Sequence, residues 1–401
     1  MRPVHRTMVL ALPVALASAG AHEALAQTPN IRVAGRVQTQ FAAYAGDSSA
    51  NWNPHAQANS SFEVRRLRIQ ADVRIGENIT MVIQPSYEMA ALRMRDAYLR
   101  VGLARTGGVA FGLTVGQEKK PFNRYELTSS NTLLSIERGA RLRGFSGAEA
   151  QNNLLEENGY VAHDLGASLD GAFANGRVVV KAGAYNGSGE SAVDVNNAKT
   201  FAARGVATVL ADDEQRPVLR VGAGFIARDR AVCTAATGSC GAFFPDSSHR
   251  SSAVELDAEW GDFRPGLHVI ADLATGDNLG RAALRVDGPR GRNFGNLRPG
   301  VADTAFTTFR SLHVVASWRW QPDDPTGGRL VKILEPALRV DLTDPDTDRD
   351  DDAGTLITPV LSVHFSQTTL MRAGLDYYRY TDATGASRSV RAFRVAWQSN
   401  F

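Results

Sequence analysis

The residues of this sequence best suited to a chemical task are its arginines, which could hold anions along a polar surface. Lysine occupies only positions 119, 120, 181, 199 and 332, so nearly all of the 44 basic residues are Arg. A guanidinium group presents a planar fork of N–H donors that matches an oxyanion. A codon-usage bias toward Arg is the alternative explanation, and it stays open.

The spacing of several arginines places them on one face of a β-strand. In residues 66–75 the apolar side chains alternate with polar ones, and the polar set is Arg66, Arg68, Gln70, Asp72 and Arg74. A period of two indicates a strand whose two faces meet different surroundings. In a soluble sheet the polar face meets bulk water, whereas in an outer-membrane barrel it meets a wet lumen and the apolar face meets lipid.

Further segments with the same character favour the barrel. We predict sixteen strands, an even number as in single-chain bacterial barrels. They lie at residues 31–44, 62–75, 79–90, 92–103, 108–117, 157–173, 177–185, 201–210, 217–228, 251–260, 264–274, 307–320, 330–342, 356–365, 369–380 and 389–401. No stretch has the periodicity of a major helix, and the region around residues 127–143 is the exception that could hold a short one.

The connections between these strands alternate in length. Short turns lie at 76–78, 174–176, 261–262 and 366–368, and long loops at 45–61, 118–156, 186–200, 229–250, 275–306 and 343–355. Short periplasmic turns and long external loops are typical of outer-membrane barrels. The predicted fold class is therefore all-β: a transmembrane antiparallel β-barrel of 16 strands.

The alternation along each strand predicts which basic residues line the lumen. They are Arg32, Arg36, Arg66, Arg68, Arg74, Arg100 and Arg220. Inward acidic residues gather on the predicted strands at 251–274. A wall with segregated charge concentrates anions along its basic side. The alternative is that the arginines pair with the acids and only stiffen the wall.

The connection at 118–156 is too long to be a simple turn. It carries Lys119, Lys120 and Arg124, followed by the hydroxyl side chains of residues 128–130. We predict that this loop folds into the lumen and narrows it, so that these donors replace water around an anion. A loop that only caps the mouth of the barrel is the alternative.

Both ends of the sequence indicate export to the outer membrane. Basic residues and an apolar run at 8–19 precede small residues at 24–26, which predicts a cleaved signal peptide over 1–26 and a barrel domain over 27–401. No run of eighteen apolar residues follows, so no membrane-spanning helix is expected. Phe401 resembles the C-terminal signal that outer-membrane proteins present to the barrel assembly machinery.

Two other features suggest known chemistry. Cys233 and Cys240 lie in a predicted external loop, and an oxidising compartment would join them in a disulfide. Alternate acids between Asp344 and Asp352 lack the turn glycine and closing Glu of an EF-hand, so we interpret them as a solvated loop, with loose Ca²⁺ binding as the alternative. No metal site, cofactor or nucleic-acid partner is predicted.

Several motifs resemble those of the phosphate-selective porins O and P. Residues 62–68 resemble the second-strand motif of that family, and residues 96–98 its fourth-strand motif. Gly-Gln-Glu-Lys-Lys-Pro-Phe at 116–122 resembles its Gly-Gln-Phe-Lys-x-Pro-Phe motif, and residues 184–187 resemble its Phe-Asn-Gly strand end. The clear similarity covers residues 60–190.

The resemblance implies a sixteen-stranded, trimeric porin in outer-membrane lipid that conducts small inorganic anions, with phosphate as a candidate. Lys119 matches the lysine of the family motif. Glu118 replaces the usual aromatic residue, which places an acid near that lysine. We therefore expect a passive, anion-preferring diffusion channel with only modest phosphate binding and no enzymatic activity.

Two other classes of protein remain open at this point. An outer-membrane barrel hydrolase would need a Ser/His pair near one rim. No Gly-x-Ser-x-Gly elbow occurs, and His163, His268, His313 and His364 have no partnered spacing. A secreted β-rich structural protein or adhesin would share the strand pattern but would not need detergent.

Overall fold

The computed structural model describes residues 28–46, 60–88, 91–139, 150–192, 194, 199–232, 247–278, 307–322, 330–350, 352–381 and 387–401. The predicted signal peptide at 1–26 lies outside these residues. Cys233 and Cys240 also lie outside them.

The described chain forms sixteen strands and two short helices. The strands are β1 Asn30–Gly46, β2 Ser60–Ile75, β3 Ile79–Glu88, β4 Ala91–Thr106, β5 Val109–Lys119, β6 His163–Phe173, β7 Val178–Tyr185, β8 Thr200–Ala211, β9 Pro217–Val232, β10 Ser247–Trp260, β11 Gly266–Asn278, β12 Thr307–Arg319, β13 Ile333–Asp344, β14 Gly354–His364, β15 Thr369–Thr381 and β16 Ser387–Asn400. The helices, α1 Arg124–Leu127 and α2 Gln151–Glu157, lie between β5 and β6.

Every strand pairs antiparallel with its neighbours in sequence, and β1 pairs with β16 to close the barrel. Gly35 and Phe401 extend this closing seam, since each backbone N–H donates to the carbonyl of the other, over 2.8 and 3.0 Å. A closed sheet leaves no unpaired edge, which is what a β structure in lipid requires. The predicted class, a 16-stranded antiparallel barrel, is confirmed.

Among the described residues of the region 127–143, where the sequence allowed a short helix, only Leu127 is helical. α1 ends at Leu127, α2 begins at Gln151, and residues 128–139 are not helical. Within that segment the Ser129 hydroxyl accepts from the Asn131 N–H, and the Ser135 hydroxyl donates to the Glu137 carbonyl. Such local side-chain bonds compete with helix formation. Because α2 occupies 151–157, β6 begins at His163 rather than at 157.

The two faces of the barrel differ as the alternation of β2 predicts. Leu67 and Ile69 are exposed on the outer face, while Arg66 and Arg68 point inward. Exposed tryptophans gather on strands near the rim with short turns: Trp260, Trp318, Trp320 and Trp397. An apolar band bordered by aromatic residues fits a bilayer interface. Neither helix has the length and apolar character to cross a membrane, within the residues that the structure describes.

Candidate functional site

The connection between β5 and β6 lies inside the barrel and contacts opposite walls, although its residues 140–149 lie outside the described chain. On one side, Arg36 of β1 donates to the Ser130 hydroxyl over 2.7 Å. On the other side, the backbone N–H of Arg124 donates to Asp272 of β11 over 3.1 Å. The prediction that this loop folds into the lumen is confirmed, and we call it the inward loop.

Apolar packing fixes the inward loop to the wall of the barrel. Phe122 lies at its start, and four more of its residues, the last of them Val161, share a buried cluster with side chains of β9 and β12, among others. That cluster includes Phe122, Leu154, Leu155, Tyr160, Ile226 and Phe309. Burying several aromatic and aliphatic side chains stabilises the loop against the wall, by roughly 1.5–3 kcal/mol for each.

Six arginines on four adjacent strands face the same side of the inward loop, and we call them the arginine arc. They are Arg372 on β15, Arg394 on β16, Arg36 on β1, and Arg65, Arg66 and Arg68 on β2. These strands are neighbours across the closing seam of the barrel. The arc is therefore one continuous basic surface.

A β-bulge explains why two consecutive residues of the arc both point inward. The register of β1 with β2 shifts between Gln38 and Thr39, since Gln38 pairs with Arg66 and Thr39 with Val64. Arg65 is the extra residue, and it is 2% exposed. Its Nη2 donates to Glu137 of the inward loop over 2.8 Å, and Arg66 Nη2 donates to the same oxygen over 2.7 Å.

Polar side chains of the inward loop meet the rest of the arc. Arg36 donates to Asn131 Oδ1 over 2.9 Å as well as to Ser130, and Arg68 Nη1 donates to the Ser130 hydroxyl over 3.0 Å. Arg68 Nε also donates to Glu88 of β3 over 2.8 Å. The loop therefore presents hydroxyl and amide groups among guanidinium groups.

The arc holds more N–H donors than the neighbouring residues can accept. Arg394 Nε lies 2.9 Å from Asp376, while both of its Nη atoms are buried and have no hydrogen-bond partner within the described chain. The same is true of Nε in Arg36, Arg66 and Arg372. Buried donors without partners are costly, so this surface is suited to accept an anion or water.

Acidic residues gather on the facing strands β10 and β11. They are Glu255, Asp257, Glu259 and Asp272. Arg204 of β8 pairs with two of them, at 2.9 Å from Glu255 and 2.6 Å from Asp257. The lumen therefore has a basic side and an acidic side, and a field crosses it between them.

Three of the predicted basic residues lie at the root of the inward loop, and each meets a carboxylate. Lys119 Nζ is 3.2 Å from Glu126, and Lys120 Nζ is 3.7 Å from Asp164. Arg124 Nε donates to Glu259 over 2.9 Å. Arg220 of β9 contacts Glu259 as well, at 3.2 Å.

The remaining predicted residues lie apart from the arc. Arg100 pairs with Asp170 at 2.6 Å and is about half exposed. Arg32 and Arg74 are exposed near the rim with short turns, where β1 begins and β2 ends. The structure thus brings Arg36, Arg66 and Arg68 together and leaves these three separate.

Ionisation in the inward loop follows from burial and its ion pairs. Burial raises the pKa of Glu137, but Arg65 and Arg66 outweigh it and hold that pKa well below the ordinary carboxyl value. Lys119 and Arg138 do the same for Glu126. Burial lowers the pKa of Lys120 to about 8, against the opposing charge of Asp164.

Several residues of the site did not follow from the sequence. Arg65 has the wrong parity for an inward residue of a regular strand, and only the bulge turns it inward. Arg95 is a second such case, because the register of β3 with β4 shifts beside it. Glu88 pairs with both Arg68 and Arg95, and Glu137 comes from the loop. For Arg65, the sequence offered one signal: it forms a pair of consecutive basic residues with Arg66 near the start of a predicted strand.

The four histidines considered in the sequence analysis contact carboxylates. His268 contacts Glu259 at 3.0 Å, His313 contacts Asp341 at 2.6 Å, and His163 and His364 contact Asp96 and Glu335 at 3.3 Å. Within the described chain, no hydrogen bond joins a serine hydroxyl to any of these rings.

Comparison with known proteins gives one family and many similar structures. The family model described as phosphate-selective porin O and P matches residues 31–248. No curated protein matches the chain. The anion-selective porin from Comamonas acidovorans is 14% identical with a TM-score of 0.55, and the match covers 93% of this chain and 100% of that one.

Two further structures have the same fold. The outer membrane channel DcaP of Acinetobacter baumannii is 11% identical with a TM-score of 0.54, covering 93% of this chain and 97% of its own. The trimer form of OmpT, an outer membrane protein of Vibrio cholerae, is 12% identical with a TM-score of 0.51, covering 93% and 99%. Because these sequence identities are low, the similarity shows a shared fold and nothing further.

Proposed function

The chain belongs to the phosphate-selective porin O and P family of outer-membrane porins, and on that premise we propose that its channel prefers anions to cations. Small inorganic anions are the proposed solutes, and passive diffusion past the inward loop is the proposed mechanism. The neighbouring structure from Comamonas acidovorans, an anion-selective porin, has the same fold and supports this direction.

The arginine arc carries the proposal. Six guanidinium groups face the inward loop, and among the described residues the carboxylates that contact them are Glu88, Glu137 and Asp376. Positive charge therefore exceeds negative charge on this side of the lumen. A partly dehydrated anion that passes the arc exchanges water for charge-assisted hydrogen bonds, each worth roughly 1.5–3 kcal/mol.

Phosphate is the candidate solute within this class. The arc combines guanidinium forks with the Ser130 hydroxyl, a donor set that matches a tetrahedral oxyanion. Glu118 does not oppose it locally, because Lys181 and the Tyr185 hydroxyl both contact this carboxylate. Several unpartnered N–H groups favour binding, whereas conduction requires that binding stays weak. We therefore propose modest phosphate binding.

The further features of the protein are proposals of the same kind. We propose a cleaved signal peptide at 1–26 before a barrel domain at 27–401, recognition of Phe401 by the barrel assembly machinery, and a homotrimer in the outer membrane. The trimer form of the Vibrio cholerae neighbour supports the last of these. Velocity sedimentation of the detergent-solubilised protein tests it.

The reversal potential of single channels in a KCl gradient tests the ion preference. At low salt the potential should have the sign of a chloride-selective pore, and it should approach zero at high salt because counterions screen the arc. A potassium-selective pore would contradict the proposal. Phosphate should reduce chloride current when added to either side, and an unchanged current would contradict only the phosphate part.

A further inference from the structure

Three buried carboxylates on the acidic side of the lumen converge on one point. Glu255 and Asp257 lie on β10 and Asp272 lies on β11, and one oxygen of each falls within 4.8 Å of the others. Asp257 and Asp272 are directly opposite each other in the strand register. Like charges in that position repel, so the arrangement requires compensation.

The surrounding groups compensate only part of this charge. Arg204 donates to Glu255 Oε1 and to Asp257 Oδ2, which offsets one of three negative charges. The backbone N–H of Arg124 donates to Glu255 Oε2 and Asp272 Oδ1, but a backbone group carries no net charge. When all three carboxylates are ionised, Arg204 leaves two negative charges, and the Arg124 guanidinium, which pairs with Glu259, offsets only part of them.

Asp272 supplies a separate observation that points to a ligand. Its side chain is fully buried, and Oδ2 has no hydrogen-bond partner within the described chain. The carboxylate faces Glu255, since both accept from the same Arg124 N–H. A buried carboxylate oxygen without a donor is costly, and a cation would remove that cost.

We propose that Glu255, Asp257 and Asp272 form a calcium site in the wall of the channel. Oxygens that bind Ca²⁺ lie at about 2.3–2.6 Å from it, so they can be up to about 5 Å apart, which agrees with the observed spread. Each carboxylate oxygen has a second lone pair, so Glu255 and Asp257 can bind a cation while Arg204 stays in place. The two positive charges of the ion would offset the negative charge that remains.

The site gives the channel a means of adjusting its selectivity. Bound Ca²⁺ neutralises the acidic side of the lumen, leaves the arginine arc as the dominant charge, and so increases the preference for anions. This consequence rests on the proposed anion preference, whereas the binding site does not. The ion also joins β10 and β11 to the start of α1, where Arg124 contacts two of the ligands.

Calorimetric titration of the metal-stripped, detergent-solubilised protein with CaCl₂ tests the site. We expect one Ca²⁺ per chain, with a Kd of about 10⁻⁴–10⁻³ M, the range of extracellular calcium modules. Asp272→Asn keeps the size of the side chain and should weaken binding by roughly tenfold or more, since even changes beyond the ligands cost that much. Asp170→Asn removes a lumen carboxylate of β6 and should bind as the wild type does.

Two results of these titrations would overturn the calcium site. No heat of binding in the wild type at millimolar Ca²⁺ would overturn the proposal without reliance on any variant. Unchanged binding in a folded Asp272→Asn variant would also overturn it, and would direct attention to the acidic loop at 344–352. Reversal potentials in EDTA test the anion preference independently, and Ca²⁺ should then shift the wild type, but not Asp272→Asn, toward chloride.

Discussion

Arg66 Nη2 lies 2.7 Å from Glu137 Oε2, so a guanidinium group of the barrel wall holds a carboxylate of the inward loop. Arg65 reaches the same carboxylate with two of its nitrogens. The carboxylate is 3% exposed, and it is one of the points at which the loop is fixed to the basic side of the lumen. Because all three side chains are buried, the charges of Arg65, Arg66 and Glu137 stabilise one another.

Glu137→Gln should loosen the inward loop and lower the stability of the barrel. The change leaves Arg65 and Arg66 buried without their counter-charge, and breaking such a buried pair costs about 3–5 kcal/mol. The temperature at which the folded band disappears from SDS gels should fall. Glu77→Gln, in the exposed turn between β2 and β3, should leave it unchanged. If that temperature were the same in both variants, Glu137 would not be holding the loop.

The contact between Arg66 and Glu137 should also make the stability of the barrel depend on pH. Because the pKa of Glu137 is lower in the folded protein than its usual 4.5, the folded state binds fewer protons than the unfolded state at acid pH. Stability from this group is therefore complete above about pH 4.5 and is lost as the pH falls below it. In thermal melts, the unfolding temperature of Glu137→Gln should therefore fall less than that of the wild type as the pH is lowered. An equal fall in both proteins would mean that other carboxylates cause the acid sensitivity.

Phe401 should be needed for efficient assembly, because it completes the closing seam. Its backbone makes two hydrogen bonds with Gly35, and its ring lies over the same glycine. Deleting Phe401 should reduce the yield of folded barrel in cells. Gly35→Ala offers a matched test, since the added methyl group would collide with the ring. If both variants gave the wild-type yield of folded barrel, Phe401 would have no role in assembly.

The strands were predictable because each has one apolar and one polar face, a pattern that lipid and a wet lumen both reinforce. Arg66 and Arg68 were placed correctly by that pattern alone. Arg65 was not, because a bulge adds one residue and reverses parity locally. Bulges arise from the pairing of two strands, and a single strand's sequence does not contain that information.

The pairings inside the lumen were beyond sequence reasoning for a different reason. Arg124 and Glu259 are separated by 135 positions, and they meet because the inward loop crosses to β10. Charge alternation shows that both face the lumen, but not which side. The position of the loop depends on the packing of Phe122 and Leu154 against distant strands, which no local pattern records.

Cys233 and Cys240 should form a disulfide in protein purified from the outer membrane. They lie outside the described residues, so this prediction rests on their spacing and on the oxidising compartment. The loop that they close is short, and the stabilisation should be no more than about 2 kcal/mol. Mass spectrometry under non-reducing conditions should find no free thiol. Alkylation of both cysteines without prior reduction would contradict the pairing.

Lys120 should make the anion preference depend on pH. Burial lowers its pKa to about 8, so its charge is present at neutral pH and is lost as the pH rises through that value. Asp164 then loses its positively charged neighbour, which further favours cations. Reversal potentials should therefore shift toward the cation value between pH 7 and pH 9. Lys120→Arg keeps its charge over this range and should make the shift smaller than in the wild type.

The arginine arc should control ion selectivity more strongly than arginines at the rim. Arg36 is 5% exposed, contacts Ser130 and Asn131, and lies where the inward loop narrows the lumen. Arg74 is exposed at the end of β2, where water and salt screen it. Arg36→Gln should therefore lower the chloride preference at low salt, while Arg74→Gln should change it little. Both variants lose one positive charge, so a difference between them measures position rather than net charge. Equal effects would mean that selectivity follows total charge, and the arc would lose its special role.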